Sequence, residues 1–154
     1  MQVSRTRMPP QFTFHRRVQF SDTDMAGIVH FANFYRFMEE AEHEMFRSLG
    51  EKIVENQPDG SVVGWPRVRA SCSFEAPACY DDLLAIDIFI TRVGVKSLTM
   101  SFKFRRGEQK IASGELKTVF CRFQRDGKFE SIPIPSRFTD KLVECPREKM
   151  STDK

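Results

Sequence analysis

The sequence predicts an α+β fold in which one long helix lies against an antiparallel β-sheet. Three observations carry this reading: a period-two run at residues 12–20, a change to helical spacing over residues 31–49, and further alternating runs joined by short turns. Phe12, Phe14, Val18 and Phe20 alternate with Thr13, His15, Arg17 and Gln19, the pattern of a half-buried strand. The loop SDTDMAGIV follows. Phe31, Phe34, Phe37, Met38, Ala41, Met45, Phe46 and Leu49 then share one helical face, with Glu39, Glu40, Glu42, His43, Glu44 and Arg47 opposite and Gly50 as a C-terminal stop. Burying side chains of this size stabilises by about 1.5 to 3 kcal/mol each, which makes this helix the centre of the core.

The remaining elements supply its cover. After the polar linker EKIVENQPDG, Val68, Ala70, Cys72, Phe74 and Ala76 alternate with Arg67, Arg69, Ser71, Ser73 and Glu75. Leu84, Ile86, Ile88 and Ile90 form one face of a third strand, and Leu98, Met100, Phe102 and Phe104 one face of a fourth. The turns RVGVKS and RRGEQ are too short for a crossover, so their strands are antiparallel neighbours. Residues 110–123 read as a longer strand, apolar on both sides, which points to a partner subunit behind the sheet. Asp126-Gly127 signals a hairpin into residues 128–132, Pro133 and Pro135 end the sheet, and SRFTDKLVE forms a short terminal helix. One domain over residues 12–143 is expected, with a disordered tail at 1–11 and a polar tail at 144–154.

Composition narrows the function. A chain of 154 residues can bury a core without staples. A formal net charge of +3 with no basic stripe argues against nucleic acid, yet suits a polyanionic small ligand. No apolar segment follows the N-terminal arginines and none reaches membrane-span length, so a cytoplasmic protein with no membrane partner is expected. Cys72, Cys79, Cys121 and Cys145 form no C-x-x-C pair and have no His at ligand spacing, which predicts buried free thiols and no metal site.

Chemistry concentrates in SDTDMAGIVHFANF. Asp22 and Asp24 sit between a strand and a helix, where an acid commonly complements the helix dipole or closes a turn. The run Asp22, Asp24, Gly27, Val29, His30, Phe31, Asn33, Phe34 resembles the signature of the 4-hydroxybenzoyl-CoA thioesterase family of hotdog-fold acyl-CoA thioesterases. CYDDLLAIDIFI and the later VKSL are similar to that family's next strand and hairpin, and the likeness spans about residues 12–143. It implies a hotdog fold, an antiparallel sheet wrapped around one long central helix, and an acyl-CoA thioester substrate with an aromatic or short- to medium-chain acyl group. No cofactor is implied, since CoA is part of the substrate.

The resemblance further implies that Asp24 is the catalytic carboxylate, nucleophile or general base, and that the backbone N–H of Phe31 is the oxyanion donor. Asp22 reads as a loop brace, and Gly27 as a residue permitting a positive φ or a close acyl approach. His30 reads equally as a carbonyl or acyl contact and as a helix-start residue packed on the sheet. Phe31 stands where some members of the family carry a His. Asn33 caps the helix or binds the loop, capping being favoured on chemistry alone. Glu39, Glu40 and Glu44 read as a solvated face. Arg92, Lys96, Arg105, Arg106 and Lys110, at two hairpin ends, are expected to meet the CoA phosphates near a subunit interface, in a homodimer or homotetramer. Acyl carrier protein is the other thiol donor the pattern admits. Two further readings stand beside hydrolysis: a non-catalytic acyl-thioester binder, and a dehydratase using His30.

Overall fold

The structure, a computed structural model, describes residues 6–151. β1 (Phe12–Arg17) leads through a 3-10 turn at Phe20–Asp22 and a tight loop into α1 (Phe31–Ser48). β2 (Glu55–Asn56), β3 (Val62–Gly64), β4 (Arg67–Phe74), β5 (Leu83–Val93), β6 (Ser97–Arg106), β7 (Gln109–Val119), β8 (Cys121–Phe123), β9 (Phe129–Ser131) and α2 (Ser136–Thr139) follow. The main sheet has the order β1-β5-β6-β7-β4 with antiparallel neighbours, and a smaller sheet runs β2-β3-β8-β9.

The helix seats its apolar stripe on the main sheet as its spacing predicts. Phe34, Phe37, Met38, Ala41, Met45 and Phe46 are buried together with Ile86, Ile88, Met100, Phe102, Phe104 and Leu116. Gly114 on β7 lies directly beneath Met38 of the helix. A Cβ there would lie 2.3 Å from Met38 Sδ and 3.1 Å from the carbonyl of Ser71. Beyond the helix, Phe46, Trp65, Phe120 and Phe138 form an aromatic cluster, with Trp65 to Phe120 centroids 4.9 Å apart.

Four expectations need correction. The strand at 110–123 is broken: at Phe120 the chain leaves the main sheet, the Phe120 N–H donates to the Lys96 carbonyl (2.8 Å), and β8 joins the smaller sheet. Its two-sided apolar pattern therefore arises from two different packing environments rather than from one long strand. The linker holds β2, whose partner β3 follows it, and both strands are too short to show alternation. Phe31 lies in the helical stripe but is 60% exposed, because as the first helical residue it projects past the sheet. Glu42, expected on the polar face, is 1% exposed.

The chain ends also differ from frayed tails over their described residues; positions 1–5 and 152–154 lie outside the description. β1 pairs with β5 only as far as Ile88, and Glu144 then bridges to Ile90 while the Cys145 N–H donates to the Ile90 carbonyl (2.7 Å). Met8 pairs with Met150, and Gln11 bonds main-chain atoms of Lys141 and Val143 at 3.2 and 2.8 Å. A segment without apolar period is held here by main-chain bonds, to which periodicity is blind.

Two predictions follow from the seating of the helix. Gly114→Val forces Met38 and the sheet apart and should cost about 1 to 3 kcal/mol in urea denaturation. Gly114→Ala should cost less, because the flexible Met38 side chain can give way. Glu42, bonded to Arg67 at 2.5 Å, has its carboxyl pushed up to about 7 by burial, with Arg67 opposing. Its folded value lies above its unfolded one, so between about pH 4.5 and 7 the native state holds the extra proton. Stability from this group is full at the acid end of that window and declines towards pH 7. Denaturant melts across pH 4.5–8 should show this decline in the wild type and its removal in Glu42→Gln.

Candidate active site

Asp22 organises the loop between β1 and α1. Its carboxylate accepts from the Gln19 N–H (2.7 Å) and from Arg16 (2.9 Å), and Arg16 also bonds Glu40 (2.8 Å) and lies over the Phe37 ring at 4.7 Å. Burial works against the Arg16 charge, but Glu40 and Asp22 more than offset it and raise its pKa above the ordinary value. The Asp22 carbonyl accepts from the His30 N–H (2.9 Å) and from Asn33 Nδ2 (2.8 Å), so one residue joins strand, loop and helix.

Beyond it, Thr23 and Val29 pair across a tight hairpin. The Asp24 N–H donates to the Ile28 carbonyl, the Gly27 N–H to the Asp24 carbonyl, each at 2.9 Å, and the Ala26 N–H to Asp24 Oδ1 at 2.8 Å. Gly27 has φ +78°, a conformation that disfavours any side chain, and a Cβ there would meet nothing within 4 Å. The backbone shape alone therefore calls for glycine here, and no protein atom crowds the position.

The helix begins at Phe31. His30 is its N-cap, with Nδ1 accepting from the Ala32 N–H at 3.2 Å, and its exposed ring leans on Phe31 at 4.7 Å rather than packing on the sheet. Asn33 does not cap; it ties the helix to the loop through Asp22. The Phe31 N–H, in the first helical position, has no acceptor among the described residues. Asp24 and Phe31 both border a cavity of about 570 Å³, with Ile28, Val29 and Phe34 on the helix side and residues 74–78 on the other. This size is ordinary for a small-molecule site. The far wall, Phe74-Glu75-Ala76-Pro77-Ala78, was not singled out in the sequence, where it reads as the end of a strand; only Pro77 marks the turn that folds it back.

The expected cations do not form one cluster within a protomer. Arg105, Arg106 and Lys110 lie at the β6–β7 hairpin, on the cavity's side, where Arg105 bonds Asp87 (2.9 Å), Arg106 bonds Asp82 and Lys110 sits 3.5 Å from Glu75. Arg92 and Lys96 lie at the β5–β6 turn, the opposite end of strands about 30 Å long. Glu39, Glu40 and Glu44 pair with Arg67, Arg16 and Arg47, away from the cavity lining. Cys121 and Cys145 are buried, but Cys79 is exposed and Cys72 half-buried, its thiol pushed up to about 11 by burial. Among the described residues no cluster of His, Cys, Asp or Glu is arranged to hold a metal ion, and no helix is long and apolar enough to cross a membrane.

The arrangement can receive an apolar group against Phe34 and Phe74, set an oxygen at the start of α1, and present a carboxylate from the loop. The chain is similar to known proteins over most of its length. Residues 18–142 match the thioesterase-like superfamily. A 4-hydroxybenzoyl-CoA thioesterase of Pseudomonas sp. strain CBS-3 is 33% identical over 144 residues, covering 86% of this chain and 98% of that one. A 1,4-dihydroxy-2-naphthoyl-CoA hydrolase of Nostoc punctiforme is 32% identical over 108 residues, covering 70% and 72%. The structure of a gentisyl-coenzyme A thioesterase superposes with a TM-score of 0.72 at 32% identity, covering 86% of this chain and 100% of that one. With its helix laid on a five-stranded antiparallel sheet and its match running over most of its length, the chain belongs to the thioesterase-like superfamily and has the hotdog fold.

Proposed function

We propose that this chain hydrolyses acyl-CoA thioesters, with the acyl group in the cavity, its carbonyl oxygen on the Phe31 N–H and the Asp24 carboxylate at the carbonyl carbon. The observation that carries the reading is that Asp24 and Phe31, whose N–H has no acceptor among the described residues, border the same apolar cavity. A thioester carbonyl gains negative charge on oxygen in the transition state, and an amide at a helix start, aided by the helix dipole, stabilises it. Asp24 then acts as nucleophile or as base for water; in either case the C–S bond breaks and CoA leaves as the thiol. Dehydration through His30 is less well supported, because its Nδ1 is engaged by the Ala32 N–H and no carboxylate bonds its ring among the described residues.

The phosphates of CoA fit the cations at the cavity's end of the sheet, Arg105, Arg106 and Lys110, which would exchange carboxylate partners for phosphate. The working unit is a homodimer paired along β4. That strand is an edge of eight residues, with Val68 and Phe74 58% and 48% exposed, and an open edge of this length invites pairing with another copy. Antiparallel pairing reverses the second sheet and would carry the partner's Arg92 and Lys96 towards the Asp24 end.

Asp24→Asn should lower thioester hydrolysis by roughly 10²- to 10⁴-fold, followed by free thiol release over a panel of aromatic and aliphatic acyl-CoAs, with little change in melting temperature. Equal rates in wild type and variant across the panel would defeat the assignment. Light scattering at micromolar concentration should return at least twice the mass of one chain; a monomer would remove the dimer from this reading.

A further inference from the structure

β4 (Arg67–Phe74) ends the main sheet and pairs with β7 along one side. Cys72 lies opposite Gly114, which sits against Met38, and Phe74 meets Phe34 at 5.2 Å. Ala70, Cys72 and Phe74 therefore face the helix, and Arg69, Ser71 and Ser73 face the outer side of the sheet. When a second copy continues the sheet antiparallel across this edge, a two-fold axis stands perpendicular to the sheet. Residues opposite each other must share a face, so one residue of β4 sits on the axis.

An axis at Arg69 sets like charges opposite each other, and an axis at Cys72 leaves Arg67 and Val68 beyond the partner's strand. An axis at Ala70 sets Phe74 opposite Pro66, which precedes the strand and has no N–H to donate. An axis at Ser71 sets Ala70 opposite Cys72 and Arg69 opposite Ser73, and carries Arg67 and Val68 to the partner's Phe74 and Glu75. Opposite charges meet there. Arg67 holds Glu42 at 2.5 Å but Glu39 only at 3.4 Å, and Glu75 sits 3.5 Å from Lys110, so each has room for a second partner. Val68 and Phe74, 58% and 48% exposed, lose water at the same junction.

We infer that two copies of this chain pair with Ser71 on the axis, so that Arg67 and Val68 of each copy close the side of the other's cavity formed by Phe74 and Glu75. The inference rests on the dimer proposed above and adds its register and its consequence. Asp24 and Phe31 come from one chain, and part of the cavity mouth comes from the other.

Cysteine cross-linking of the full chain tests the register. Residues directly opposite in an antiparallel pair have Cα atoms about 4.5 to 5.5 Å apart, within reach of a disulfide, whereas an offset of two residues sets them roughly 8 Å apart, which is too far. In a Cys72→Ser, Cys79→Ser background, Ser71→Cys should run at twice the chain mass after mild oxidation and return to one with reductant. The Arg69→Cys/Ser73→Cys double variant should do the same, and Ala70→Cys should stay single. Faster cross-linking of Ala70→Cys, or of the native Cys72 with Cys79→Ser alone, than of Ser71→Cys overturns the inference. So does a chain that scatters light as a dimer yet cross-links at neither Ser71→Cys nor the double variant. A monomer in light scattering overturns the register together with the dimer, and leaves hydrolysis through Asp24 to the acyl-CoA panel.

Discussion

Asp22 borders no part of the cavity, yet the cavity's chemistry depends on it. Its carboxylate and carbonyl together receive four groups: the Gln19 amide, Arg16, the His30 amide and Asn33. A carboxylate this buried is costly unless paired, so its partners are obliged to stay. They belong to the end of β1, the 3-10 turn and the start of α1, and the hairpin carrying Asp24 is strung between those anchors. In the proposed reaction the carboxylate approaches the carbonyl carbon while the amide holds the carbonyl oxygen, which requires their separation to be held closely, and Asp22 fixes the segments on either side of the Asp24 hairpin.

The helix is fixed at its other end by a different force. There the Phe46, Trp65, Phe120 and Phe138 rings meet at centroid distances of 4.9 to 5.7 Å, each pair contributing about 0.5 to 1.5 kcal/mol beyond its burial. Trp65 and Phe120 flank the points where the chain passes between the main and the smaller sheet, so the smaller sheet holds the cluster in place. Between the two anchors the helix rests flat, because Gly114 lets Met38 sit directly on β7. One end of α1 is held by hydrogen bonds and charge, the other by ring packing, and the cavity opens at the polar end.

Regular periodicity made β1, α1, β5 and β6 legible, since each carries one unbroken apolar face, although β5 and β6 turn out to be buried on both faces. β2 and β3 were hidden by length: two or three residues cannot alternate detectably. Glu42 was misassigned because helical spacing reports polarity, and a buried carboxylate held by Arg67 has the same letter as a solvated one. Asp24, Gly27 and the start of α1 stood together in sequence, but the far wall of the cavity comes from residues 74–78, some fifty positions on, and only the folded sheet brings it across. The cations misled for a related reason. A hairpin end is visible in sequence, but which end of the sheet it occupies depends on strand direction, and within one protomer Arg92 and Lys96 lie at the end opposite Arg105, Arg106 and Lys110.

The pairing of Met8 with Met150 places the two ends of the described chain side by side, in segments outside the named strands that contribute nothing to the cavity lining. Over its described residues the polypeptide runs close to a closed loop, its seam among residues that do not line the cavity. Such a seam is the natural place for length to vary among descendants of one fold, because residues can be gained or lost there without passing through the walls of the cavity.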